Sequence, residues 1–397
     1  MRTRALALLL IGIMGLTAFV AYAQKSTPSP AGPTSLVRGT KPIKIAVHFS
    51  TTGWVKSLGI EELHGSLLAV HEINAAGGIY GRPLDPVITD LQSDYTFAVT
   101  VAKKMAANKE IVAAVGDAVS GISMAMKPVY FEAHLPNITC TKAGPYTKEN
   151  FDYVYRYCFN DDWAIPASLK LWKEKLALKT ISLLHTADAW GVNAADILKE
   201  SAPGLGVKIL SRNSYSPTAI DVSAQLIRIK AENPDALVMW GYGEPVINAY
   251  KGAKTIGLKP QILGPGGILD ATIMGAVKDE IMGVIVADAM STDDPGTEVQ
   301  KKFVNAFRAM YPGERHTTFS GGAYDAVYII AEALKKIVKG DELVDRDDLK
   351  KALDQTDYIG TQGRFKWSPT YHDGPTELNL FTAQMVEGKV KLMRYSK

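Results

Sequence analysis

The chain is 397 residues long, 47% hydrophobic and 21% charged, with a formal net charge of +3. No basic cluster with interleaved aromatics stands out, so the pI of about 8.5 is not a nucleic-acid footprint. The length exceeds what one hydrophobic core serves, and the expectation is a soluble, ordered chain of two lobes.

Met1 to Ala23 has the three parts of a secretory leader. Arg2 and Arg4 make the positive start, Ala5 to Val20 is nearly all apolar, and Ala21-Tyr22-Ala23 offers an A-x-A cleavage site. The apolar run is shorter than the ~20 residues of a spanning helix, and no cysteine stands near the cut to carry a lipid. Residues 1–23 are therefore expected to be removed as a signal peptide cleaved near Ala23. Residues 24–42 contain much Ser, Thr, Pro and Gly and read as a flexible spacer. Loss of the two arginines leaves a mature charge of about +1.

From Ile43 onward, strand and helix patterns alternate, which predicts parallel sheets covered on both faces. Buried strands are predicted at Ile43–Phe49, Pro86–Leu91, Ile111–Gly116, Leu135–Thr139, Thr180–His185, Lys208–Ser211, Ala236–Gly241, Gln261–Gly264 and Gly283–Ala287. Helical stripes lie between them: Ile60, Leu63, Leu67 and Val70; Ile165, Leu169, Trp172 and Leu176; Val299, Phe303, Phe307 and Met310. The C-terminal part leaves the alternation, and GRFKWSP, LNLFTAQMV and KVKLM predict a β-rich finish. Cys140 and Cys158 fall at or in two further apparent strands, LPNITC and YVYRYCF. In an oxidising compartment they are either bridged across those strands or two buried free thiols.

Catalytic and cofactor patterns fail on inspection. Gly241-Tyr242-Gly243 and Gly204-Leu205-Gly206 lack the third glycine of a dinucleotide fingerprint, and Gly252 to Lys259 lacks the Gly-Lys-Ser/Thr ending of a phosphate loop. No G-x-S-x-G elbow occurs. His71-Glu72 opens like a zincin helix but has Ala75 where a second His is required. Asp161-Asp162 and Asp293-Asp294 read as a helix cap and a solvated loop. No enzyme, cofactor or metal is expected.

Three successive strand ends are small and hydroxylic: Ser50-Thr51-Thr52-Gly53, then Asp117-Ala118-Val119-Ser120-Gly121, then Thr139-Cys140-Thr141-Lys142-Ala143-Gly144. In open α/β sheets ligands meet such loops, where helix N-termini present free N–H groups suited to a carboxylate.

The strand, loop and helix of Ile43 to Leu91, the phrase HEINAAGGIYGRPL and the acidic strand end TDLQSD resemble the Leu/Ile/Val-binding family of type I periplasmic solute-binding proteins. These are the receptors of ABC importers. The resemblance implies a two-lobed α/β fold, each lobe a mainly parallel sheet flanked by helices, with three hinge crossings. The N-lobe would comprise 43–160 plus 289–360, and the C-lobe 161–288 plus 361–397. It implies a periplasmic, monomeric protein that closes on a small-molecule solute and presents it to an inner-membrane ABC permease. It places the ligand carboxylate on Ser120, Gly121, Thr139 and Thr141, although the family's serine run is broken here by Gly121 and Ile122, and the second segment is one residue shorter, which leaves Lys142 and Ala143 as alternatives to Thr141. The family's nearby cysteine pair is replaced by Ser93 and Val119. Trp190 and Tyr242 would hold an apolar ligand body, with Trp54 and Phe319 approaching from the first lobe. Where amino-acid binders carry an acid for the ligand ammonium, this chain has Gly266 within Leu263-Gly264-Pro265-Gly266-Gly267. The expected ligand is thus a small organic acid without an α-ammonium, an aromatic carboxylate among the options. The alternatives are an aliphatic amino acid whose ammonium meets Glu244, Asp188 or Asp117, and a ligand-sensing receptor of the same fold.

Overall fold

Ile43–Phe49 (β1) buries every side chain except that of Lys44, which is half-buried. A strand with no solvent face belongs in the middle of a parallel sheet, and β1 pairs in parallel with Leu84–Asp90 (β2) on one side and Ile111–Val115 (β3) on the other. Asn137–Thr139 (β4) and Val154–Arg156 (β5) extend this first sheet, whose order is β2-β1-β3-β4-β5. Pro86 is tolerated inside β2 because that strand is an edge, where a missing N–H faces no neighbour. β2 consequently starts two residues before the predicted Pro86.

The second sheet is built from Thr180–Thr186 (β6), Lys208–Tyr215 (β7), Ala236–Trp240 (β8), Gln261–Pro265 (β9), Ile285–Asp288 (β10), Phe381–Val386 (β13) and Lys389–Leu392 (β14). Its order is β14-β13-β10-β9-β8-β6-β7. The pairs from β7 through β10 are parallel, whereas β13 joins β10, and β14 joins β13, antiparallel. Asp357–Gly360 (β11) and Gly363–Lys366 (β12) form a separate hairpin. The β-rich C-terminus thus splits between that hairpin and the edge of the second sheet.

The computed structural model describes residues 39–148, 151–269, 271–277, 283–290, 293, 295–376, 381–386 and 389–392. The expected leader, most of the expected spacer and Asp294 lie outside the described residues. Of the spacer, Thr40 and Lys41 are held, their N–H groups donating to the Asp341 carboxylate at 2.6 and 2.7 Å.

The helices are Lys56–Ala75 (α1), Tyr95–Ala107 (α2), Ser120–Glu132 (α3), Asp161–Leu176 (α4), Ala189–Ser201 (α5), Ser223–Glu232 (α6), Gly243–Thr255 (α7), Ala271–Ala276 (α8), Glu298–Met310 (α9), Thr318–Ile337 (α10) and Arg346–Leu353 (α11). The stripe Ile165, Leu169 and Trp172 is buried as its spacing predicts. In α1 the outcome differs: Ile60, Leu63 and Leu67 are only half-buried, while Glu61, Glu62, Gly65 and Ser66 are buried. The reason is α10, which lies directly on that face. Thr317 donates to Glu61 at 2.6 Å and Tyr157 to Glu62 at 2.5 Å, so the acids are buried with partners, as burial requires. Met310, predicted in a core stripe, is 39% exposed.

The chain passes from one sheet to the other after Arg156, after Asp288 and before Phe381. Residues 361–374, expected with the second lobe, make their contacts on the first side. Trp367 packs on Tyr155 at 4.8 Å, Arg156 pairs with Asp373, and Asn160 donates to Asp373 at 2.7 Å. A fully buried guanidinium needs such a partner, which draws this segment to the end of β5.

Candidate functional site

The carboxyl ends of β3, β4, β8 and β9 and the start of α10 converge on one small pocket, lined by Leu58, Ala118, Ser120, Cys140, Lys142, Trp190, Tyr242, Gly267 and Phe319. Both sheets contribute, so the cavity lies between them.

On the first side Asp117 organises the loops. Its carboxylate accepts from Ser50 N at 2.7 Å, Ser50 Oγ at 2.8 Å and Val119 N at 2.6 Å. Its carbonyl accepts from Ser123 Oγ at 2.8 Å and from the Thr139 hydroxyl. These bonds fix the turn that leads into α3, so Ser120 opens the helix at the pocket wall. The first N–H groups of a helix lack partners within it, and the helix dipole favours negative charge there. Ser120 Oγ also meets Ala143 N at 3.4 Å. Phe319 is set by the cap of α10: Thr317 Oγ1 accepts from Phe319 N at 3.2 Å, and Ser320 Oγ accepts from Thr317 N at 2.9 Å.

On the second side the aromatics form a stack. The Tyr242 ring lies 4.9 Å from Trp190, nearly coplanar at 6°, and 5.4 Å from Trp54 at 18°. Each ring's polar end is tied: Trp190 Nε1 donates to Asp161 at 2.6 Å, Trp54 Nε1 to Ser93 O at 3.1 Å, and Tyr242 Oη to Asp188. The Trp54–Tyr242 contact joins the two sides.

Of the expected contacts, Ser120, Trp190, Tyr242 and Phe319 line the pocket, and Trp54 stands behind Tyr242. The remainder do other work. The Thr139 hydroxyl is spent on Asp117 and lies 3.5 Å from that of Thr141, and both threonines are fully buried away from the pocket. Gly121 admits the Tyr95 ring, since a Cβ there would stand 2.7 Å from it. Gly266 leaves room for Asp288, whose Oδ2 a Cβ would meet at 2.0 Å. Cys140 and Cys158 are buried free thiols. Asp161 and Asp162 follow the true cap, Asn160, whose side chain accepts from Asp162 N at 2.8 Å. Sequence reasoning missed Leu58, Ala118, Cys140 and Gly267 as wall residues, and left Lys142 only as an alternative to Thr141. Their signal was adjacency: all but Leu58 lie in the strand-end phrases already singled out.

A family model described as periplasmic binding protein matches residues 42–389. The chain belongs to the periplasmic binding protein family. Among curated family relatives, the Leu-, Ile-, Val-, Thr- and Ala-binding protein of Pseudomonas aeruginosa is 27% identical over 78% of this chain and 83% of its own length. The Leu/Ile/Val-binding protein of Escherichia coli K12 is 26% identical over 67% of this chain and 72% of its own. A branched-chain amino acid transporter substrate-binding protein from Streptococcus pneumoniae, solved with isoleucine, superposes with a TM-score of 0.79 at 26% identity over 89% of this chain and 100% of that one. An R. palustris solute-binding protein solved with benzoate gives 0.80 at 20% identity over 89% and 95%, a likeness of fold. Type I periplasmic binding proteins thus share this pair of flanked, mostly parallel sheets. No helix among the described residues is long and apolar enough to cross a membrane.

Proposed function

We propose that this chain is the substrate-binding component of an ABC importer and that it captures a small organic acid lacking an α-ammonium group. One observation carries the ligand class: among the described residues no carboxylate lines the pocket, and the one charged wall residue is Lys142. The acids that could have met an ammonium are occupied or turned away. Asp117 accepts from Ser50 and Val119, and Asp188 from Thr186, Gly191 and Tyr242. Glu244 is exposed. Closing an ammonium into the pocket without a counter-charge costs several kcal/mol, of order the desolvation penalty of one ion. The walls of Leu58, Trp190, Tyr242 and Phe319 suit a flat or branched apolar body.

The two sheets act as two lobes, joined at 156–161, 288–298 and 366–381, that close on the solute. The chain works in the periplasm as a monomer, is exported through cleavage near Ala23, and delivers to an inner-membrane permease. It performs no reaction on its ligand. Isothermal calorimetry with leucine and phenylalanine against their deaminated acids tests the reading. The acids are expected to bind at least tenfold more tightly. The names of the curated relatives favour the second reading, an aliphatic amino acid, and tighter binding of leucine would establish it instead.

A further inference from the structure

Lys142 lies in the loop that follows β4 and is buried to 3% exposure, yet its ammonium has no hydrogen-bond acceptor among the described residues. The head group lies 3.9 Å from the centre of the Phe159 ring and 4.8 Å from that of Phe319. Ring faces attract a cation, but they leave its three N–H donors without oxygen partners. No carboxylate among the described residues forms an ion pair with it. Lys142 lines the pocket together with Ser120, the first residue of α3. Buried charges are ordinarily paired, so this one is incomplete until something enters.

We propose that Lys142 is the anchor for the ligand's anionic group, which it shares with Ser120 and the N-terminus of α3, and that it sets the site's selectivity for carboxylates over zwitterions. This rests on the reading of the pocket as the solute site. It moves the anchor from the threonines, whose hydroxyls are used internally, to a cation that carries one full charge. The groups facing Lys142 are Cys140 beside it, Asp288 at the end of β10, and Cys158 and Asp161 at the start of the second half. Burial pushes its pKa down and these neighbours pull it up, with a net upward shift, so the head group is charged at any physiological pH. A ligand ammonium placed here would face that charge, whereas a carboxylate would supply the missing acceptor. The preferred solute is then a monocarboxylate with an aromatic or branched apolar body and no cationic group near the carboxyl carbon.

The test compares the parent mature protein with Lys142→Met, using benzoate, benzamide and leucine as calorimetric probes, together with ligand-free melting. Loss of a charged hydrogen-bond donor should weaken benzoate by about 10- to 100-fold, while benzamide changes less than threefold. Ligand-free Lys142→Met should melt close to the parent temperature, because the ammonium makes no hydrogen bond and the Asp161 and Asp288 carboxyls that it draws down can take up protons in its place. Equal benzoate affinity in parent and variant overturns the anchor and leaves the acid reading standing. A parent that prefers leucine, unaffected by the substitution, overturns both. The melting arm needs no ligand and decides if none of the probes binds: a variant that melts well below the parent assigns Lys142 to structural support and overturns the proposal. Failure of both Lys142→Met and Lys142→Gln to fold overturns it in the same way.

Discussion

Four of the buried aspartates have raised pKa values. Burial pushes Asp117, Asp161 and Asp288 up to about 6 and Asp325 up to about 7, against the opposing pull of their hydrogen bonds or, at Asp161 and Asp288, of Lys142 first. The folded chain therefore keeps these protons at pH values where the unfolded chain has released them. Their contribution favours the folded state below about pH 4 and is lost as pH rises through 6 to 7. His48, buried and held down to about 4, acts in the opposite sense, since acidification must charge it. Asp325 isolates the acid effect: Oδ2 accepts from Thr361 N at 2.7 Å and Thr361 Oγ1 at 2.8 Å, while Oδ1 has no partner. Asp325→Asn should equal the parent near pH 4 and exceed it increasingly toward pH 8, by up to about 4 kcal/mol as an upper bound. Urea denaturation at both pH values checks this, and a gap that does not grow with pH refutes it. At this scale the sequence was half legible. Ser120 was placed at the pocket by its strand-end position, and Trp190, Tyr242 and Phe319 by the family resemblance; all four line it. Thr139 and Thr141 were misplaced, because the chain does not reveal where a hydroxyl spends its bond. Lys142 stood only as an alternative to Thr141, because lysine is almost never buried and the one-residue gap in that segment left the register open.

Between elements, α1 and α10 approach closely. A Cβ on Gly65 would sit 2.0 Å from Ser320 O, and one on Gly59 2.1 Å from Ser50 O. Neither obstacle is a flexible side chain, so the helix itself must move. Gly65→Ala should destabilise by about 1–3 kcal/mol, the range for overpacking, despite alanine's better helix propensity. Because Ser320 adjoins Phe319, the same change should weaken solute binding; chemical denaturation and calorimetry on one sample check both. Strands were the most legible elements, since an uninterrupted apolar run has few other uses in a chain of this length. Helix faces were less so. The buried side of α1 carries two glutamates and a glycine, a pattern that periodicity assigns to solvent until the partner helix is known. The 361–374 segment was assigned to the wrong side because its position follows from the buried Arg156, a pairing across more than two hundred residues.

For the molecule as a whole, the aromatic stack is the contact that spans the proposed lobes. A Cβ on Gly243 would stand 2.5 Å from Trp54 O, so the two sides meet closely. Trp54→Ala removes one ring of the stack without touching the pocket wall. Solute binding should weaken by about tenfold, the worth of one aromatic pair. The ligand-free radius of gyration from solution scattering should be unchanged or larger. With the parent, a saturating solute should reduce that radius and shift tryptophan fluorescence. A saturating solute that leaves both signals unchanged would remove hinge closure from the mechanism.

The late position of α10 also has a consequence in time. Its partner α1 is complete at Ala75, but α10 does not begin until Thr318. At roughly 5–20 residues per second of synthesis, α1 waits on the order of ten seconds or more for the surface that Gly65 is shaped to receive. During that interval the first sheet lacks one of its covering helices and has no complete native form to settle into. Under the export proposed above, this built-in delay would keep the nascent polypeptide competent for passage across the membrane. Folding would then begin on the far side, once both ends of the sequence are present together.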